Sequence, residues 1–467
     1  MRLNHSAILC AASSLLICGA AGAQSAAPDE TLTWHGITLY GIVDIGLQYD
    51  THGAPFSDAH PAGSANIVQK NSRQSVTGFT PSNLSQSRVG LQGTEPLGGD
   101  WSAVFKIETF FNPESGQISD ALKSMTQNNG RSPAQQTTNL DSSVAGQAFQ
   151  NLYAGFSSKT FGTVTFGRQT GWVADGISKY DPNYGSQAFS LIGMSGTYAG
   201  AGDTEDRRTD ETLKYALPFA DIAHLGLLYK FNGSSGGSNS EFQADVGVEF
   251  AGAAVDVYYD KTKDGISASA LTAPQVAALP GLCPDPLPAG SVCQAASPGN
   301  SLQATISDNT VFSIMGSYKI DVWKFLAGYE HIQYANPATP LPAGFTDIGG
   351  YNLAFVNNAA FPNDKVLQVY WAGVRYTVFP GLDLTGAYYG YHQNSYGSGA
   401  NAGCTTNKAA TCSGTFQSFS FNAVYAFTKR FDGYAGAMYS AVYDGLANGY
   451  TLQRNNLNPT IGVRFKF

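Results

Sequence analysis

Apolar and polar residues alternate with a period of two along several segments of the chain. In the segment 241–250, one parity is apolar and the other polar: Phe242, Ala244, Val246, Val248 and Phe250 against Glu241, Gln243, Asp245, Gly247 and Glu249. Successive side chains of a β-strand point to opposite faces, so this pattern predicts a strand. Three acids on one face are unusual in a dry core and ordinary in a water-filled interior. The segment therefore predicts a strand with one apolar face and one hydrated face.

The last eight residues, 460–467, alternate in the same way. Ile461, Val463, Phe465 and Phe467 share one parity, and the positions between them are small or polar. Soluble sheets alternate as well, but a chain terminus is usually polar and frayed. An apolar face in contact with lipid, with Phe467 at the membrane interface, accounts for this ending. We expect a membrane-spanning strand whose Phe465 and Phe467 act as its assembly signal.

The connections between the predicted strands are short and long in turn. The short ones are Glu95–Asp100, Pro218–Asp221, Ala251–Ala253, Phe379–Gly381 and Thr428–Arg430; the long ones are His52–Ser85, Asn112–Gly146, Gly171–Asp210, Lys261–Asp308, Ala335–Asp364 and Gln393–Thr415. An up-and-down membrane barrel has short periplasmic turns and long external loops, whereas a soluble sandwich has no reason to keep this order. The pattern predicts an all-β antiparallel barrel of about 16 strands.

The N-terminal residues have the features of an export signal. Met1–Ser6 carries one positive charge, Ala7–Leu16 is apolar or small, and Ala21–Ala23 forms an A-x-A cleavage site. These features predict a secretory signal peptide over residues 1–23.

A lipoprotein signal and a membrane-spanning helix are the alternatives for this region. Lipidation of Cys18 needs a small residue before it, and Ile17 is large. After Gln24 no run of about 18 apolar residues follows. We therefore expect residues 24–467 to form a single transmembrane barrel domain.

The composition fits a barrel with a lipid-facing outside and a wet inside. Charged residues make up only 13% of the chain, compared with about 25% in soluble domains, yet the mean hydropathy is −0.14. Small polar residues, 53 glycines and 25 tyrosines supply turns, polarity and interfacial aromatic rings. The net charge of −8 without a basic stripe is not typical of a nucleic-acid-binding protein.

Six cysteines are present, and two of them, Cys10 and Cys18, lie in the predicted signal peptide. The other four form two local pairs in loop-like segments: Cys283 with Cys293, and Cys404 with Cys412. An even number of cysteines in an exported chain predicts disulfides, and local pairing is the simplest of three possible connectivities. Zinc binding is disfavoured because no histidine lies near either pair. We expect neither a metal nor a cofactor.

Five blocks of the sequence resemble the Gram-negative general porins of the neisserial and beta-proteobacterial type. In the order of that family they are Leu39–Asp44, Ser87–Gly99, Phe161–Gln169, Arg208–Tyr215 and Val463–Phe467. The resemblance implies a 16-stranded barrel, a homotrimer, and a third long loop that folds inward and narrows the pore. It also implies a location in the outer membrane of a Gram-negative bacterium. The implied partners are outer-membrane lipid and lipopolysaccharide, the barrel-assembly machinery, and small hydrophilic solutes and ions.

The resemblance and the strand parity together suggest the residues that line the pore. Arg88 and Arg208 match the basic wall of the family, and Arg88 shares its parity with Gln92, opposite to Val89 and Leu91. Lys106 and Glu108 share the inner face of the next strand. The acids expected to face the lumen are Asp44, Glu108, Glu241, Asp245 and Glu249. The alternative for the arginines is a position at the polar rim, where Lys and Arg also gather.

The segment 171–210 is the expected constriction loop. We predict that Asp175 and Asp181 face the arginines across the pore; the alternative is that they are ordinary solvated loop acids. Arg168 has the parity of the lipid-facing Val164 and Phe166, so either a β-bulge intervenes or Arg168 lies beyond the strand.

These features predict a passive, non-enzymatic channel, a general-diffusion porin with a charged constriction. A sugar-specific channel is the nearest alternative, since 12% of the residues are aromatic. An adhesin is another, because the loops are long. An outer-membrane enzyme is less favoured, since the histidines of the mature chain lie in no recognisable catalytic motif: His35, His52, His60, His224, His331 and His392.

Overall fold

The computed structural model describes residues 32–52, 75–114, 116–118, 149–195, 208–219, 222–231, 240–268, 304–335, 347–348, 351–352, 363–397, 412–447 and 454–467. The predicted signal peptide, Cys283, Cys293 and Cys404 lie outside these ranges. Cys412 is disulfide-bonded. Among the described residues, no helix combines the length and the apolar composition needed to cross a membrane.

Sixteen antiparallel strands form one closed barrel, as the alternating pattern predicts. Their bounds are β1 Ile37–Asp50, β2 Val76–Pro81 and Arg88–Gly98, β3 Trp101–Asn112, β4 Asn151–Ser158, β5 Gly162–Thr170, β6 Arg208–Phe219, β7 Ala223–Lys230, β8 Ser240–Phe250, β9 Ala253–Ala268, β10 Ala304–Ile320, β11 Trp323–Ala335, β12 Lys365–Phe379, β13 Leu382–Gln393, β14 Gly414–Ala426, β15 Phe431–Asp444 and β16 Asn455–Lys466. Short pairs of strand residues at Thr33–Trp34, Gln117–Ile118, Asp347–Ile348 and Tyr351–Asn352 lie outside this set.

The barrel closes between its first and last strands. β16 pairs with β1 from Gln48 opposite Thr460 to Ile42 opposite Lys466. The backbones of Phe467 and Gly41 exchange two further hydrogen bonds, of 2.9 and 3.1 Å. The C-terminal residue is therefore part of the seam.

The two faces of the strands follow the predicted parity. In β8 the outward Phe242, Val246, Val248 and Phe250 are at least 40% exposed, whereas Glu241 and Asp245 are almost fully buried. In β16 the outward residues Ile461, Val463 and Phe465 are exposed as well. An exposed apolar belt is what lipid contact requires.

The predicted loop 52–85 is partly wrong, because it contains strand. Val76–Pro81 pairs with residues Ile45–Asp50 of β1 and forms the first segment of β2. The strand breaks at Ser82–Ser87, where the amides of Leu84 and Ser85 donate to the Asp44 carboxylate at 3.0 and 2.7 Å. The buried Asp44 carboxylate accepts the hydrogen bonds that these amides would otherwise donate to a neighbouring strand. A break of this kind leaves no alternating pattern in the sequence.

The third long connection folds into the barrel and carries two helices, α1 Trp172–Tyr180 and α2 Leu191–Ser195. Apolar side chains of both helices pack in one buried cluster with the inner wall: Val173, Ala174, Ile177, Tyr180, Leu191 and Ile192 against residues of β9 to β15. Gly176 faces the ring of Tyr258 so closely that a Cβ would overlap it. Burial of these apolar side chains therefore holds the loop against the inner wall of the barrel instead of leaving it extended in water.

Candidate pore constriction

Glu108 on β3 lies at the centre of a polar cluster on the inner wall. Its carboxylate lies 3.5 Å from Lys106 Nζ and 3.9 Å from Arg88 Nε. The Tyr40 hydroxyl and the Asn151 side-chain amide donate to it at 2.9 and 2.6 Å. These contacts bring residues of β1 to β4 together, because residues that lie directly opposite each other, or two positions away, on paired strands share one face.

Arg208 joins the same cluster from β6. Its guanidinium carbon lies 4.2 Å above the centroid of the Phe110 ring, and Phe110 pairs directly with Arg88 across β2 and β3. Arg208 is almost fully buried, whereas Arg88 and Lys106 keep 33% and 24% of their side-chain surface exposed. Within the described residues, Arg88 and Lys106 share the carboxylate of Glu108, and Arg208 lies beside them.

Asp175 and Asp181 occupy different environments. Asp175 at the start of α1 is 45% exposed and lies 2.5 Å from Lys214 Nζ of β6. The same ammonium lies 3.9 Å from the centroid of the Trp172 ring. Asp175 is therefore paired with a wall lysine that the sequence did not single out.

The prediction that Asp181 faces the arginines of the basic wall is wrong. Asp181 is completely buried against the opposite wall, where it accepts hydrogen bonds from the Tyr389 hydroxyl and the Gly185 amide, both at 2.5 Å. Burial raises the pKa of this carboxyl above its ordinary value. Because Asp181 follows α1 directly, the docking of that helix turns it toward β13.

The acids expected in the lumen do lie on the inner face, but most of them do not meet water. Asp44, Glu108, Glu241 and Asp245 are at most 6% exposed, and only Glu249 near the end of β8 is exposed. Other inner-wall groups cover them: the Tyr434 hydroxyl donates to Asp44 at 2.5 Å, and the Thr209 hydroxyl donates to Glu241 at 3.0 Å. A second layer of polar side chains separates these acids from the solvent. Strand parity alone does not predict this layer.

The third loop is anchored at both sides of the barrel. Its first amide, from Trp172, donates to Gln243 on β8 at 2.5 Å. At the far side, Asn458 on β16 donates to the Ala188 carbonyl at 2.9 Å, and Ser186 donates to the Asn83 carbonyl at 2.5 Å. The loop therefore covers the wall from β8 round to the break in β2. The basic cluster of Arg88, Lys106 and Arg208 lies on the remaining stretch, β2 to β6.

A family model described as Gram-negative porin matches residues 7–445 of the chain. The chain belongs to this family. Its sequence is 29% identical over 217 residues to an outer membrane porin protein of Bordetella pertussis, a match that covers 46% of each protein. The chain thus matches about half the length of that relative. Family and relative place this porin in the outer membrane of a Gram-negative bacterium.

Solved porin structures share the fold at low identity. The anion-selective porin from Comamonas acidovorans has a TM-score of 0.58 and 16% identity, over 92% of this chain and 99% of that one. The trimer form of OmpT from Vibrio cholerae has a TM-score of 0.53 and 14% identity, over 92% and 99%. OmpF of Salmonella typhi in complex with daunomycin has a TM-score of 0.51 and 14% identity, over 92% and 97%.

Arg168 reaches the interior of this porin through a β-bulge, one of the two possibilities its parity left open. The β5–β6 register shifts between Gly167 and Gln169, and Gly167 has φ +130°. Arg168 then donates to Asp210 on β6 at 2.6 Å. Its charge is paired in the wall rather than added to the basic cluster.

Several anchors of the third loop were missed by sequence reasoning. Trp371 Nε1 donates to the Tyr180 carbonyl at 3.0 Å, and Arg375 donates to the Pro182 carbonyl at 2.6 Å. Asn422 donates to the Asn183 side-chain oxygen at 2.6 Å. Each contact joins residues about 190 or more positions apart, so no local motif could indicate them.

Proposed function

We propose that this porin is a passive, non-enzymatic channel for small hydrophilic solutes whose constriction favours anions. The observation that carries the proposal is that, among the described residues, the partly exposed Arg88 and Lys106 share the carboxylate of Glu108, which leaves one positive charge in excess, with Arg208 beside them. A fixed charge at a narrow passage biases which ions enter, because the low-dielectric wall screens it less than bulk water does.

Among the described residues of the third loop, the acidic side of the constriction is weak. Asp175 is neutralised by Lys214, and Asp181 is buried away from the passage. The field at the cluster is therefore set mainly by the cations.

Reversal potentials in a planar bilayer with a salt gradient test the proposal. We expect an anion-favouring reversal potential that moves toward cations in the double variant Arg88→Gln/Arg208→Gln. The matched control is Lys159→Gln/Lys429→Gln, which removes two charges from exposed turns at the other end of the barrel. A cation-favouring wild type, or equal shifts in both double variants, would contradict the proposal.

We also propose that the porin works as a homotrimer in contact with outer-membrane lipid and lipopolysaccharide, after insertion by the barrel-assembly machinery. The trimer form of a structural neighbour supports the oligomeric state. Conductance steps that occur in threes, and a mass three times that of the chain in detergent, are the expected results. A monomer that conducts alone in both measurements would contradict the trimer.

A further inference from the structure

Three potential metal ligands meet on the inner face of neighbouring strands, outside the basic cluster. His224 lies on β7, Asp245 on β8 and Asp256 on β9. His224 Nε2 lies 3.2 Å from Asp245 Oδ2 and 3.6 Å from Asp256 Oδ1, and all three donor atoms lie within 4.8 Å of one another. Among the described residues, this is the group of three that could hold a metal ion.

Gly247 makes this meeting possible. It lies between His224 and Asp256 in the strand register, paired with both. A Cβ at this position would overlap the Asp256 carboxylate and the His224 ring. The missing side chain lets the two ligands approach each other across the middle strand.

The carboxylates have unused acceptor capacity that points to a ligand. Asp245 and Asp256 are each at least 98% buried, and Oδ1 of each lacks a hydrogen-bond donor. The other oxygen of Asp256 is held by Lys179 Nζ at 3.1 Å and by the Tyr258 hydroxyl at 3.0 Å. Buried polar atoms normally have partners, so these two oxygens indicate an unfilled interaction.

We propose that His224, Asp245 and Asp256 bind a divalent transition metal, with Zn²⁺ as the best-fitting ion. Imidazole nitrogen and carboxylate oxygen are zinc ligands at about 2.0–2.2 Å, which corresponds to about 3.3–3.6 Å between neighbouring ligands of a tetrahedron. The distances from His224 Nε2 to Asp245 Oδ2 and to Asp256 Oδ1, 3.2 and 3.6 Å, lie close to that spacing. His224 keeps 31% of its side-chain surface exposed, which leaves a route for the ion and a place for a water ligand.

The bonds from Lys179 and Tyr258 to Asp256 would then act as an outer shell that orients the carboxylate. Lys179 belongs to α1, so its contact with Asp256 connects the third loop to the proposed site. We expected no metal from the sequence; the three ligands lie 21 and 11 residues apart on different strands and form no spacing motif. The alternative for these three side chains is an ion pair of His224 with the two aspartates, without a metal.

Isothermal titration of the untagged, refolded porin with Zn²⁺ tests the site. We expect one ion per chain, an affinity at least tenfold lower in His224→Gln and Asp245→Asn, and no change in His331→Gln, whose side chain lies on the outer face of β11. Heat-modifiable mobility on gels checks that each variant is folded. Absence of binding, or equal affinity in His224→Gln and wild type, would overturn the proposal in favour of a histidine–aspartate ion pair. Anomalous scattering at the zinc edge, placed between the three side chains in a crystal, would support it independently.

Discussion

Lys214 on the barrel wall and Asp175 on the constriction loop form an ion pair of 2.5 Å across the start of α1. The pair ties the loop to β6 and cancels the charge of one carboxylate that could otherwise oppose the basic cluster. Under the proposed function, the polarity of the constriction depends on how a loop acid is paired as well as on which charges the wall carries.

The Asp175→Asn variant tests this pairing. Removing the carboxylate releases the charge of Lys214, so we expect the reversal potential to move further toward anions. Asp321→Asn, in an exposed turn, removes the same charge and is the control. It should have a much smaller effect, since charges beyond about 10 Å are screened at 0.1 M salt. Equal effects of the two variants would show that the pair has no special role.

The buried Asp181 predicts a pH dependence of stability. Burial raises the pKa of Asp181 in the folded protein. Above the ordinary value of about 3.9, the folded state therefore holds more protons at this site than the unfolded state, and the free energy of unfolding falls as pH rises through that window. We expect wild type to lose stability relative to Asp181→Asn as pH rises from about 4.

Thermal unfolding midpoints in detergent, recorded over this pH range, check the Asp181 prediction. The exposed Asp444 supplies the control variant Asp444→Asn, which should keep the wild-type slope. If the unfolding midpoints of wild type and Asp181→Asn change with pH in parallel, the prediction is contradicted, even when one variant is more stable throughout.

Trp371 should stabilise the end of α1. Trp371→Phe keeps an aromatic ring but loses the hydrogen bond to the Tyr180 carbonyl. We expect a loss of about 1 kcal/mol in the free energy of unfolding and noisier single-channel currents, because the loop is held less firmly. Trp323→Phe, on the exposed outer face, is the control and should leave the current noise unchanged. Quiet currents in Trp371→Phe would argue against a loop anchor.

The terminal Phe467 should matter for barrel closure. Deleting it removes both backbone hydrogen bonds to Gly41 as well as the ring, whereas Phe467→Ala removes only the ring. We expect the deletion to reduce the yield of heat-resistant barrels more than the alanine variant does, measured by gel mobility after refolding into lipid vesicles. If the two variants behave alike, the ring alone is responsible.

Part of the candidate site could be derived from parity on paired strands. Arg88, Lys106 and Glu108 were expected on one inner face, and β2 and β3 bring them together through the register that places Gln92 opposite Lys106. Arg208 reaches the same place from β6 by stacking on Phe110, which no local pattern indicates. The proximity of Arg88, Lys106 and Glu108 was therefore predictable from the sequence. Their role in ion selection stays a prediction.

The alternation of side chains and the spacing of turns were sufficient for the barrel, its strand faces and its short and long connections, because each strand meets lipid on one side and polar surroundings on the other. Long-range packing decided the rest. It docked α1 on the inner wall, buried Asp181 against Tyr389 and placed His224 beside two aspartates. These arrangements depend on contacts between side chains of different strands and loops, and such contacts leave no periodic pattern in the sequence.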